Sequence, residues 1–160
     1  MAKKKEYTII DLFAGAGGLS EGFVQAGFSP VAHIEMDKDA CDTLRTRCCY
    51  HYLNSHNQLD TYYDYLKGNI SRDELYLSVP KEIIDSVINV EISDETIDNT
   101  FNQIKGLAGK RKVDMIIGGP PCQAYSLAGR IRDPHGMKND YRNYLFESYI
   151  RILEYFQPTF

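Results

Sequence analysis

Cys122 stands in the run Gly118-Gly119-Pro120-Pro121-Cys122-Gln123-Ala124-Tyr125-Ser126, directly after the apolar segment Val113 to Ile117. The two prolines fix φ and carry no N–H group, and the two glycines let another molecule approach closely. The pattern presents the thiol instead of packing it away. A cysteine on a stiff loop at the carboxyl edge of a buried strand is where an α/β enzyme keeps a nucleophile, because sulfur attacks well as a thiolate and leaves again readily.

A second constellation lies near the amino end. Asp11-Leu12-Phe13-Ala14-Gly15-Ala16-Gly17-Gly18 follows a short β-rich run. Its spacing is GxGG, not the GxGxxG of dinucleotide sites. Glu35 closes the next apolar run, where a carboxylate can accept hydrogen bonds from two ribose hydroxyls. A ribose-bearing cofactor without a pyrophosphate fits this pair better than a dinucleotide does. The alternative is a plain strand-to-helix turn with a solvated Glu35.

These residues need elements to position them. Tyr7 to Leu12 reads as a strand, and the apolar face carrying Leu19, Phe23 and Val24 reads as a helix ending at Gly27. Val31 to Ile34 reads as a second strand and Asp39 to Tyr52 as a second helix. This βαβα start predicts a parallel sheet. Residues 54–112 are polar and tyrosine-rich, with helical signals at Glu82 to Val90 and Asp94 to Leu107, and read as a helical insertion before the cysteine strand. Within it, Gly68-Asn69-Ile70 is the candidate end of a third strand. Val113 to Ile117 is the clearest buried strand. Tyr141 to Phe156 puts Leu145, Tyr149, Ile152, Leu153 and Phe156 on one helical face. A helix after a parallel strand feeds a neighbouring strand, and the sequence stops where that strand is expected. An incomplete sheet is therefore expected, with an open edge and an apolar helix face for a complementary polypeptide or for self-association.

At 160 residues and 43% hydrophobic, the chain can bury one core. The basic start Met1 to Glu6 lacks the apolar core of a signal peptide, and a cytoplasmic setting is expected. Cys41, Cys48, Cys49 and Cys122 show no metal-ligand spacing, so reduced thiols and no metal site are expected. The net charge of -4 argues against a wholly basic nucleic-acid surface. The charge is uneven, however. Acidic residues crowd the middle, whereas Arg130, Arg132, Lys138 and Arg142 follow the cysteine loop and form either a basic rim beside the thiol or, with Asp133 and Asp140 close by, a solvated loop.

Glycine loop, acidic second strand and Pro-Pro-Cys-Gln-x-Tyr-Ser, in this order, resemble the amino-terminal part of the catalytic domain of the DNA cytosine-5 methyltransferases. The resemblance covers most of the chain apart from the insertion, and Asp114 and Ile116 upstream of the cysteine belong to it. It implies a Rossmann-like S-adenosylmethionine-dependent fold and double-stranded DNA as partner. It also implies Cys122 as the nucleophile that attacks carbon 6 of a flipped-out cytosine. Phe13, Gly15, Ala16 and Gly18 are expected to line the cofactor site, with Glu35 on the ribose and Met36 beside the adenine. Pro121 and Leu145 are expected to border the cofactor. Asn69 stands where the family usually carries Asp, as a contact to the adenine amino group. Gln123, Ser126, Arg130 and Arg132 are the candidate DNA contacts. The family's Glu-Asn-Val motif would follow Phe160, so the polypeptide alone is expected to be nearly inactive; general acid help is worth about two to four orders of magnitude in rate.

Three other readings use the same residues. His33-Ile34-Glu35 and Pro121-Cys122 share elements with zinc nucleobase deaminases, but Tyr125 stands where the second cysteine is needed. A cofactor-binding or assembly module keeps the fold without catalysis, and a tRNA cytosine-5 methyltransferase would use the same thiol chemistry. The vicinal Cys48-Cys49 pair, on a helix between Leu44 and Tyr52, reads as packing before redox sensing.

Overall fold

The computed structural model describes residues 6–120 and 145–160. Its frame is a four-stranded, all-parallel sheet in the order β3-β2-β1-β4. The strands are β1 (Tyr7–Leu12), β2 (Phe28–Glu35), β3 (Val87–Asn89) and β4 (Met115–Gly118). The chain runs outward from β1 to β3, then returns to lay β4 on the other side of β1. That reversal leaves a crevice at the carboxyl ends of β1 and β4, where open α/β sheets take their ligands. The arrangement is a Rossmann-like α/β fold.

Helices cover both faces. On one lie α1 (Gly18–Gln25) and α2 (Lys38–Ser55); on the other lie α6 (Ile97–Ala108) and α7 (Leu145–Phe156). Strand alternation divides the sequence between them. Ile10, Leu12, Ala32, Ile34, Ile88 and Ile116 meet Phe101, Ile104 and Ile152 of α6 and α7. Each fully buried Ile or Leu of this kind stabilises the fold by roughly 1.5–3 kcal/mol. Tyr149, Leu153 and Phe156 pack against the same core, so the helical face expected at the carboxyl end is the one used. Phe101 stacks on Tyr155 at 4.3 Å between ring centroids, which fixes α6 to α7.

Residues 54–112 differ from the expectation of one helical insertion. Only α3 (Leu59–Leu66), α4 (Arg72–Leu77) and α5 (Lys81–Asp85) form an excursion, packed on α2 through Cys49, Leu53, Leu75 and Val79. Gly68-Asn69-Ile70 is not a strand end but the turn between α3 and α4, where Asn69 Nδ2 donates to Asp64 Oδ1 at 3.0 Å. The third strand is Val87–Asn89, inside the segment expected to be helical. Two adjacent β-branched residues favour the strand, but three residues are too few to show a period. The last segment then packs as α6, part of the sheet's own cover.

Two close approaches stiffen the centre. Gly118 pairs with Leu12, and with φ at 147° its missing side chain faces the Leu12 carbonyl so closely that a Cβ would collide with backbone. Asp114, buried just before β4, accepts the Thr8 backbone N–H at 3.0 Å and the Thr159 hydroxyl at 3.2 Å. Phe160 N–H donates to the Asp114 carbonyl at 2.9 Å, so the chain leaving α7 turns alongside β4.

The other unusual core group is an acid-base pair. Asp11 on β1 is 1% exposed and faces His33 on β2, 3% exposed, across 3.6 Å. His33 is therefore an interior residue. Burial pushes its pKa down, but the Asp11 carboxylate and the Cys48 thiol outweigh that and hold it up at about 9.

Replacing Gly118 by Ala is expected to cost about 2–4 kcal/mol, because neither the Leu12 carbonyl nor the φ can yield. Urea denaturation reads this directly. Because His33 is raised above its ordinary 6.5, its contribution to stability is complete below pH 6.5 and is lost as pH rises through 9. The urea midpoint is expected to fall across that window, and a His33→Gln variant to lose that part of the slope.

Candidate functional site

At the carboxyl edge, β1 passes into a loop with three left-handed residues: Phe13 (φ 56°), Gly15 (φ 54°) and Gly17 (φ 82°). This folds the loop back over the strand ends. Gly17 has no room for a side chain, since a Cβ there would stand 2.6 Å from Leu44 Cδ2 of α2. Gly15 and Gly18 have nothing within 4 Å of where a Cβ would lie. The loop is thus packed on its inner side and open on its outer side. Ala14 N–H donates to the Ile34 carbonyl at 3.1 Å, which holds the loop to the end of β2.

Glu35 completes this tie. Its Oε2 accepts the Gly15 N–H and its Oε1 the Asp37 N–H, each at 2.8 Å. Both bonds are charge-assisted, and each oxygen keeps a lone pair for a further donor. The next residues are also fixed. Asp37 caps α2 by accepting the Ala40 N–H at 2.7 Å, and the Cys41 thiol donates to the Glu35 carbonyl at 3.3 Å.

Asn89, at the end of β3, is the residue that the sequence reading missed. Its Nδ2 donates to the carbonyls of Glu35 and Met36, at 3.0 and 2.8 Å. The amide orientation leaves Oδ1 as the acceptor at this edge. The family resemblance implied Asn69 for this role, and Asn69 lies in the α3–α4 turn, where it bonds Asp64. The signal for Asn89 was an amide residue directly after Val87-Ile88, masked by the helical reading of Glu82 to Val90.

The structure brings Phe13, Gly15, Ala16, Gly18, Glu35 and Met36 together at the ends of β1 and β2. Phe13 is half-buried against the core, whereas Met36 is 58% exposed. Leu145 is buried at the start of α7. Pro121, Cys122, Gln123, Ser126, Arg130 and Arg132 lie outside the described residues. The strand that precedes them does not: Gly118 sits opposite Leu12, so the chain leaves β4 beside the glycine loop.

Behind the loop, Glu21 of α1 joins α2. It accepts from Arg47 at 3.0 Å and meets His51 Nε2 at 2.8 Å. The His51 bond, then those of Gln25 and Arg47, hold the Glu21 carboxyl down at about 2 against the opposing effect of burial. His51 thus bridges α2 to α1.

Comparison with known proteins agrees with this geometry. The family of C-5 cytosine-specific DNA methylases matches residues 7–80 and 83–160. The type II methyltransferase M.Bpa9945I of Bacillus paralicheniformis is 39% identical over 94% of this chain and 38% of its own length. The type II methyltransferase M1.HphI of Haemophilus parahaemolyticus is 32% identical over 96% of this chain and 30% of its own length. The putative type II methyltransferase M.MjaORF1200P of Methanocaldococcus jannaschii is 30% identical over 93% and 45%. The chain thus spans less than half of each of these relatives. It belongs to the family of C-5 cytosine-specific DNA methylases.

Proposed function

We propose that this chain forms the S-adenosylmethionine half-site and carries the nucleophile of a DNA cytosine-5 methyltransferase. The observation that carries the reading is the Glu35 carboxylate, fixed by the Gly15 and Asp37 N–H groups at the mouth of an open glycine loop. Glu35 accepts the ribose hydroxyls, Phe13 and Met36 border the adenine, and Asn89 Oδ1 accepts from its amino group. Gly15, Ala16 and Gly18 leave room for the cofactor's chain, and Pro121 and Leu145 complete the border. Two acceptor residues and an apolar flank without a phosphate cradle suit an uncharged nucleoside with a sulfonium arm. When bound, the cofactor supplies an electrophilic methyl group.

Cys122 supplies what the cytosine lacks. Carbon 5 is a poor nucleophile until the thiolate sulfur bonds to carbon 6, which makes the ring enamine-like. Carbon 5 then takes the methyl group. Removal of the carbon 5 proton returns an electron pair that breaks the S–C6 bond and releases the thiolate. The target atoms lie inside the duplex, so the base must be extruded; Gln123, Ser126, Arg130 and Arg132 are assigned to the DNA around it. A tRNA substrate would use the same thiol chemistry, and DNA is favoured by the family.

Because the chain spans 30–45% of those relatives, a second reading stands beside this one. In it the chain binds cofactor and is completed by a complementary polypeptide or by self-association. Among the described residues β4 is an edge strand, paired with β1 on one side and with no strand on the other, which favours a further strand there. Among them, too, no helix is long and apolar enough to cross a membrane, in keeping with the cytoplasmic setting we assign.

Calorimetric titration with S-adenosylmethionine or its demethylated product is expected to give saturable one-to-one binding. A Glu35→Ala variant should weaken it at least about tenfold, the loss of one or two bonds to a charged acceptor. Unchanged binding in the variant removes the assignment of the loop. Any covalent adduct with duplex DNA carrying a mechanism-trapping cytosine analogue is expected to vanish in Cys122→Ser, and an adduct that survives would rule out this thiol.

A further inference from the structure

Asp11 and His33 lie directly beneath the glycine loop and Glu35. Asp11 stands two residues before Phe13 and His33 two before Glu35, and the parallel register sets them opposite one another. Both are buried, with 3.6 Å between His33 Nδ1 and Asp11 Oδ2. Neither Asp11 oxygen nor His33 Nδ1 has a hydrogen-bond partner, so mutual charge is what offsets their burial. Backbone bonds carry the pair to the site. Ala14 N–H donates to the Ile34 carbonyl at 3.1 Å, one residue from His33, and Gly15 N–H donates to Glu35 at 2.8 Å. His33 N–H itself donates to the Ser86 carbonyl at 2.8 Å, just before β3, the strand that ends in Asn89.

Resting on the reading of this edge as an S-adenosylmethionine half-site, we propose that Asp11 and His33 are positioning residues for the cofactor. Their charged pair holds the ends of β1 and β2 at the spacing that lets Glu35 meet Gly15 and the ribose together. When the imidazolium gives its proton to solvent, the buried carboxylate loses its counter-charge and the two strand ends part. His33 is held at about 9, above its ordinary 6.5, so the positioned form is complete at neutral pH and is lost as pH rises through 9. Other groups do not replace either partner. His33 lines a cavity of about 370 Å3 with Glu6, Cys48 and Tyr52, with Arg47 and His51, both engaged with Glu21, and with Glu82 of α5. The two further carboxylates there can favour the imidazolium but bring Asp11 no donor. From α7, Tyr149 spends its hydroxyl on the Ile116 carbonyl at 3.2 Å; burial, and then the Asp11 charge, raise its pKa.

The test uses 5′-methylthioadenosine, the nucleoside part of the cofactor, which carries no group that titrates between about pH 7 and 10.5. Its calorimetric affinity for the native protein is expected to fall about tenfold over that range. By linkage, the bound nucleoside should raise the midpoint of the His33 ring 13C resonance by about one pH unit. His33→Gln should bind about tenfold more weakly at pH 7, with a flat profile. The double variant Asp11→Asn, His33→Gln, a neutral amide pair able to hydrogen-bond across the strands, should regain affinity and stay flat. A native affinity independent of pH, or a His33→Gln affinity equal to the native one, overturns the proposal and leaves the Glu35 assignment standing, since Glu35→Ala reads that separately. The unliganded protein gives an independent reading: the Glu35 carboxyl 13C resonance is expected to move with the His33 midpoint near 9. A Glu35 resonance that ignores His33 overturns the coupling whether or not the nucleoside binds, and even if the variants do not fold.

Discussion

The carboxylate of Glu35 is the tie on which the site depends. It meets the glycine loop and the start of α2 at once, through the Gly15 and Asp37 N–H groups. Three left-handed residues in five positions are costly to order, so the loop needs an external anchor to hold one shape. A carboxylate provides it without filling the space above the loop. Each oxygen keeps a lone pair, so the interaction that shapes the loop also leaves the carboxylate able to accept hydroxyl donors.

That tie works because the walls behind it cannot move. Gly17 lies against Leu44, Gly118 against the Leu12 carbonyl, and Asp114 links Thr8 to the chain after α7. The Glu21 bridge to Arg47 and His51 then locks α1 to α2. Each contact joins elements far apart in sequence, so the edge forms only when the sheet does. Isolated pieces of the loop would have no reason to adopt this shape.

Much of this was legible in the sequence, and the failures share one cause. β1, the glycine loop, α2, β4 and the apolar face of α7 are long or strongly patterned, and the structure places them within a few residues of expectation. β2 begins earlier than Val31, because Pro30 and a bulge at Ile9/Ile10 let Phe28–Pro30 pair despite the proline. β3 was hidden by its length: three residues on the sheet edge, two of them buried, carry no period, and its flanking helices dominated the pattern. With β3 misplaced, Asn69 stood in the role that we propose for Asn89. A candidate site residue was thus missed through a topological error, not a chemical one, since an amide acceptor was expected at the end of the third strand.

The buried Asp11-His33 pair was illegible for a different reason. Each residue sits in a run whose chemistry was read from its neighbours: Asp11 as the opening of the glycine loop, His33 as part of the run His33-Ile34-Glu35. Only the parallel register of β1 with β2 sets one opposite the other. Cys48 enters from a third element, α2, at a position where helical spacing indicated packing. It does pack, against the cluster of Ala14, Cys41, Leu44 and Val87, and its other side meets the cavity. Core position and cavity wall coincide in one side chain. A sequence pattern separates such roles by assigning residues to faces, and it cannot register a residue at the seam between them. The register of two strands and the pitch of one helix create that seam, which is why it belongs to the fold and not to any motif.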